Sequence, residues 1–249
     1  LYLIRIVTSS PDPAPLPPLP IPHRRRRPTR RTAHTREAIV AAAIDVLDEA
    51  GTSGISMRRV AERLGTGAAS LYAHVSGKEE LLELVFDELA GQVRLPTPDR
   101  LRWREQIHEI FSDWRAILVA HRDVALVGLA WIPTTPNMLQ ASETVVAILR
   151  AGGLTDRIVS LAADQLAMYV AADAFEEGLL EVRGLSPDGA ARYYEDAHDF
   201  YRALPADLYP TLAALTDDII RPDGEERFSF GLDALIAGFE ALTARERAG

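Results

Sequence analysis

The sequence predicts an all-α protein: an N-terminal three-helix domain, then a larger helical domain. Three observations predict the helical class. From Thr35 onward, apolar residues recur at helical spacing almost without interruption. No hairpin signature, βαβ alternation or internal repeat accompanies them. Pro96 and Pro98 break the chain between a set of short helices and a set of longer ones.

The first helix follows Thr35, an N-cap residue type, and carries Ile39, Val40, Ala43, Ile44 and Leu47 before Gly51 stops it. Ser56 caps a second, with Met57, Val60, Ala61 and Leu64, ended by Gly65. A third is predicted over 68–75, and Ser76 is read as the cap of a fourth carrying Leu81, Leu82, Val85, Phe86 and Leu89. Longer helices are predicted over 99–120, 135–151 and 156–182, then shorter ones near 189–203 and 206–215. The last, over 226–245, shows Phe228, Leu232, Leu235, Ile236, Phe239 and Leu242 as one stripe. Residues 1–34 read as a disordered tail, since 8–34 hold half of the 16 prolines and end in Arg24–Arg27, Arg30 and Arg31. The expected units are therefore 1–34, 35–95 and 96–249.

Composition narrows the chemistry. The 249 residues contain no cysteine, so disulfides, thiol catalysis and Cys-ligated metals are excluded. No apolar run reads as a membrane span, and Leu1–Val7 lacks the flanks of a signal peptide, so a soluble cytoplasmic protein with no membrane partner is expected. The net charge of −9 hides a split. Residues 1–36 hold eight Arg and one Asp, whereas 92–249 hold 15 basic and 25 acidic side chains. A basic N-terminal end suits a polyanion that the acidic remainder would repel.

The informative stretch is ISMRRVAERLGTGAASLYAHVSGK, residues 55–78. A short helix, a tight turn with Gly65 and Gly67 and a second short helix make a helix-turn-helix. Val60, Leu64, Leu71 and Val75 face inward, and Ala68, Ala69, Ser70, Tyr72 and His74 outward. Tyr72 and His74 suit phosphates, and Ser70 a phosphate or base edge. Ala68 and Ala69 permit close approach and contact with thymine methyls. Lys78, the only lysine in the chain, stands in the first turn of the next helix, where free N–H groups attract phosphate. Spacing alone leaves open a helical hairpin with an incidental Tyr and His.

The run Leu71-Tyr72-x-His74-Val75-x-x-Lys78, with TREAIVAAAIDVLDEAG before it and an apolar helix after it, resembles the TetR family of transcriptional regulators. The motif resemblance covers about residues 35–91; the remainder matches in length and helix content the subgroup that includes the tetracycline repressor. It implies a homodimer, two heads in successive major grooves of a double-stranded DNA operator, and a small-molecule effector pocket in each C-terminal domain. It also implies DNA-contact roles for Arg58, Ser70, Tyr72, His74 and Lys78. Ala68 and Ala69 depart from the larger polar residues of the tetracycline repressor, which puts that operator in doubt for this chain.

Other signals read more plainly. His121-Arg122-Asp123 spells a kinase catalytic-loop triplet, but no glycine-rich loop or strand lysine accompanies it. His198 among Glu195, Asp196 and Asp199 is a solvated acidic face with no second His at ligand spacing. No catalytic residue, metal or cofactor is expected. Polar residues interleaved with apolar ones on the long helix suit a pocket wall. The expected ligand contacts are Trp114, Trp131, Met138, Gln165 and Tyr169, between the 99–120 helix and the long helix. The reading is a ligand-responsive dimeric repressor; its rivals are a constitutive DNA-binding protein and an all-helical enzyme. The Arg24–Arg31 arm is expected either to strengthen DNA binding without setting specificity or to be an inert disordered tail.

Overall fold

The computed structural model describes residues 35–130, 132–182, 186–220 and 224–248; the proline- and arginine-rich tail and Trp131 lie outside them. Every regular element among these residues is a helix. The first four are α1 (Arg36–Gly54), α2 (Met57–Arg63), α3 (Ala68–Leu71) and α4 (Lys78–Ala90). There follow α5 (Trp103–Ala120), α6 (Ala125–Ala130), α7 (Pro136–Ala151) and α8 (Asp156–Val182). The last are α9 (Pro187–Arg202), α10 (Pro210–Ala214), α11 (Thr216–Ile219) and α12 (Gly224–Ala248).

The caps explain where the head's helices begin. Thr35 Oγ1 accepts from Ala38 N, and Ser56 Oγ accepts from Arg59 N. Ser76, expected to cap the fourth helix, does not; Gly77 occupies the N-cap, and the Ser76 N–H instead donates to Glu80 Oε2 at 2.6 Å. That carboxylate reaches back from the first turn to the residue before the N-cap, and Gly77 has no side chain to cap the first N–H groups of α4. Gly51 interrupts α1 where the stop was expected, with a non-helical φ of +66° and ψ of −178°, and one further turn then runs on to Gly54. The third helix is shorter than expected, because after Leu71 the chain turns, with His74 N and Val75 N both donating to Leu71 O.

In the body, α8 packs against α5, α6, α7 and α12, while α4 reaches out of the head to α6 and α7. Helix α6 escaped the sequence reading because six residues hold less than two helical turns of pattern. The start of α5 shifts to Trp103 because Gln106 clips the preceding turn, accepting from Asp99 N and donating to Thr97 O. The segment expected over 206–215 resolves into α10 and α11, which pack with α9.

Helix α8 is long and apolar enough over 156–178 to cross a membrane by length and composition, against the expectation that no segment would be. It is apolar on two faces. Ile158, Ala162, Leu166, Val170 and Ala174 are buried, while Leu161 and Met168 are about half exposed. Helix α12 divides its stripe in the same way: Phe228, Leu232, Ile236 and Phe239 are buried, Leu235 is half-buried and Leu242 is exposed.

One ion cluster is buried where α5, α8 and α12 meet. Arg115 donates from Nε to Asp173 at 2.5 Å, from Nη1 to Glu225 at 2.5 Å and from Nη2 to Glu177 at 3.1 Å, and stands over the Phe228 ring. Arg115 and Asp173 are both nearly inaccessible, so each depends on the other. Asp173→Ala is expected to cost about 2 kcal/mol, since it leaves the buried Arg115 Nε–H without its acceptor while Glu225 and Glu177 still hold the Nη groups, whereas Arg115→Met with Asp173→Leu should cost less. Urea denaturation checks both, and an Asp173→Ala chain as stable as the native one would contradict the cluster's role.

Candidate DNA-contact face and effector cleft

The helix-turn-helix is built on a reversal at Leu64–Gly67. Gly65 takes φ +65°, and Thr66 N donates back to Ala61 O at 2.9 Å. Ala61 and Val60 are buried at the crossing, with Leu71 and Val75 inward as expected and Leu64 half-buried. Ser70 closes the turn, its hydroxyl donating to Gly67 O at 2.7 Å and lying 2.9 Å from Thr66 Oγ1.

The expected contact residues divide by exposure. Tyr72 is 56% exposed although it is a large aromatic residue. Ala69, Ser70 and Lys78 are exposed; Ala68 and His74 are half-buried, Ala68 packing against the core. Arg58 stands on the open side of α2 and pairs with Glu62 one turn on, at 3.3 Å. Lys78 Nζ donates to Thr52 O at 2.8 Å, so the single lysine is held by the end of α1. Thr52 was not singled out in the sequence, because nothing there places it beside a residue 26 positions later.

Helix α4 runs from this face to a cleft. The cleft holds about 310 Å³ and is lined by Glu83 and Phe86 of α4, Gly128 of α6, residues 132–135 and Met138 of α7. Trp114 packs its ring edge-on to Phe86 at 5.1 Å. Asp87, buried beside Phe86, accepts from Asn137 N at 2.9 Å and Met138 N at 3.0 Å, so α4 caps the first turn of α7. The sequence carried no signal for this hook, because Asp87 and the exposed Glu88 stand side by side between apolar residues and look alike there.

The five expected ligand contacts do not gather in one place. Met138 lines the cleft and Trp114 backs it, whereas Gln165 and Tyr169 line a separate open groove of about 450 Å³ with Met168, Gly231 and Leu235. Tyr169 stacks on Phe228 and donates to Phe228 O at 3.0 Å, and burial followed by the nearby Asp173 carboxylate raises its pKa. The gap expected between α5 and α8 is closed, because these two helices pack directly on one another. Trp131 lies outside the described residues.

Comparison with known proteins fits this division. The description "Bacterial regulatory proteins, tetR family" matches residues 39–85, and "Tetracyclin repressor-like, C-terminal domain" matches residues 95–243. The chain belongs to the tetR family. Two curated relatives align with it over most of both chains. The repressor DrrR1 of Streptomyces coeruleorubidus is 30% identical over 89% of this chain and 84% of its own. An HTH-type transcriptional regulator of Saccharopolyspora erythraea is 32% identical over 85% and 87%. The tetR-family protein ActR of Streptomyces coelicolor, solved in complex with actinorhodin, is 36% identical over 86% of this chain and 98% of its own, with a TM-score of 0.79. As a tetR-family member the chain is a dimeric, ligand-responsive, DNA-binding transcriptional regulator of the repressor kind.

Gly65, like Gly51, takes a positive φ in the head. A Cβ on Gly65 would meet nothing within 4 Å, so only backbone strain opposes it. Gly65→Ala is therefore expected to cost about 1 kcal/mol in urea denaturation; an unchanged midpoint would show that the turn tolerates another conformation.

Proposed function

We propose that the regulator reads DNA with α2 and α3 and releases it when a small molecule enters the cleft between α4, α6 and α7. The observation that carries this reading is the reach of one helix. Lys78 begins α4 at the DNA-contact face, and Phe86 stands eight residues on in the cleft wall, about 12 Å away along the axis. A ligand that moves α4 at Phe86 moves the mounting of the head.

Tyr72, His74 and Lys78 bind phosphates, Arg58 binds a phosphate or base edge, and Ser70 with Ala68 and Ala69 lets the short helix approach the base edges. Residues 35–95 form the head and 96–249 the body. The exposed faces of α8 and α12, with Leu161, Met168 and Leu242, meet their copies across a two-fold axis, which sets two heads for two half-sites. The chain acts by binding rather than by turnover, in the cytoplasm where operator DNA is found.

The cleft suits a mostly apolar ring compound carrying a few oxygen groups. Phe86, Ile132, Pro133 and Met138 supply the apolar surface, and Glu83, Thr134 and Thr135 the polar groups. Actinorhodin, bound by ActR, is a reasonable first probe. Ligand lowers operator affinity to the extent that it favours the released arrangement of α4 over the bound one.

Two measurements check this. Lys78→Ala is expected to make log K against log salt shallower by about one, and Tyr72→Phe to weaken binding alike across sequences. Unchanged affinity and slope in both variants would remove this face from the DNA interface. Compounds that release DNA are expected to quench or shift Trp114 emission, measured in a chain whose Trp103 and Trp131 are replaced by Phe. Release without any change in Trp114 would place the effector outside the cleft.

A further inference from the structure

The triplet His121-Arg122-Asp123, which the function so far leaves unused, docks the body onto the head. It forms the turn between α5 and α6. Asp123 uses both carboxylate oxygens on one residue 71 positions away: Thr52 N donates to Oδ1 at 2.7 Å and Thr52 Oγ1 donates to Oδ2 at 2.7 Å. Beside it, His121 Nδ1 lies 2.7 Å from Asp48 Oδ1. The fit is close, since a Cβ on Gly51 would stand 2.9 Å from Asp123 Oδ1.

Two further observations show that the turn is shaped for this contact. Arg122 is, among the described residues, the only non-glycine with positive φ, at +53°. Such a backbone costs energy and persists where its surroundings over-determine it. The Arg122 carbonyl also lies where a Cβ on Gly178 of α8 would meet it at 3.2 Å. The turn is thus lodged between the central helix of the body and the end of α1.

The turn joins the two ends of a lever. Asp123 stands two residues before α6 and is tied to its first turn, its carbonyl accepting from Leu126 N at 3.1 Å. Five residues on, Gly128 lines the cleft so close to Phe86 that a Cβ would stand 2.6 Å from the ring. At the head end, Thr52 passes its position on, because its carbonyl holds the Lys78 ammonium. That leaves two of the three ammonium protons for a phosphate.

We infer that Asp123 is a positioning residue for DNA binding: through Thr52 it sets where Lys78 stands, and α6 transmits the state of the cleft to it. This route runs through α1 and is separate from the direct path along α4. It rests on the cleft being the effector site.

A wedge in the cleft tests the lever without a ligand. Gly128→Val pushes α6 from Phe86, and its effect is measured in the native, Asp123→Ala and Thr52→Val backgrounds. The probe is the duplex that the native protein selects from a random-sequence library, titrated at several salt concentrations. Thr52→Val removes one hydroxyl bond and guards against misfolding of Asp123→Ala; thermal melting confirms that each chain is folded. In the native background the wedge is expected to weaken binding about tenfold; with Asp123→Ala or Thr52→Val the further loss should fall below about threefold. Thr52→Ser, which keeps both bonds, should respond like the native chain. Lys78→Ala should flatten the salt slope less in the Asp123→Ala background than in the native one, a change that a merely structural role would not produce. Equal wedge effects in all backgrounds, or none in the native one, would overturn the lever. Failure of the cleft as effector site shows separately, in the Trp114 titration, which contains no Asp123 or Thr52 variant.

Discussion

Helix α4 must satisfy the head and the body at the same time, and that constraint organises the rest of the structure. Its first turns belong to the head: Lys78 holds Thr52 O, and Glu80 takes Arg36 at 2.6 Å. Its last turns belong to the body, where Phe86 meets Trp114 and Asp87 caps α7. A helix interior is stiff, because each turn is tied to the next by backbone hydrogen bonds. Displacement imposed at one end therefore reaches the other with little loss. The buried residues of head and body form one continuous cluster for the same reason, with Leu81, Val85 and Leu89 running through it.

The apolar economy of the body follows from a second demand, two-sided packing. A helix that served only its own chain would need one apolar stripe. Helices α8 and α12 each carry a second, and leave Leu161, Met168 and Leu242 in solvent in the single chain. A dimer removes that surface from water at about 25 cal/mol per Å². The Arg115–Asp173 pair sits where these helices meet α5, and its charges hold the crossing by directional bonds rather than by shape alone.

Local rules made much of the head legible, while contacts across the chain were hidden. Thr35 and Ser56 cap as their residue type implies, and the inward set Val60, Leu71 and Val75 follows from spacing. Ser76 misled because the helix starts one residue later, with Gly77 at the N-cap. Helix α6 was too short to show a period, and the last stripe showed its period without showing which members faced out. In the candidate site, the motif residues from Arg58 to Lys78 could be named, yet Thr52, Asp87 and Asp123 could not be assigned a role. Their partners lie 26 to 71 positions away, beyond any helical repeat. The ligand residues were chosen by type along two helices. Type does not reveal that α5 and α8 close on each other, which put Gln165 and Tyr169 on a different face from Met138.

The central claim is that a small molecule acts by moving the head on its α4 mounting. The absence of cysteine makes a direct test simple, since Ala73→Cys, on an exposed site beside Tyr72, introduces one spin label per protomer. The distance between the two labels in the dimer is measured by pulsed electron resonance, with duplex DNA bound and then with a compound that releases it. The account predicts a narrow distribution on DNA, fixed by half-sites about 34–36 Å apart. It predicts a shift of that distribution by several ångströms when the compound binds. Release of DNA with the label distance unchanged would contradict it.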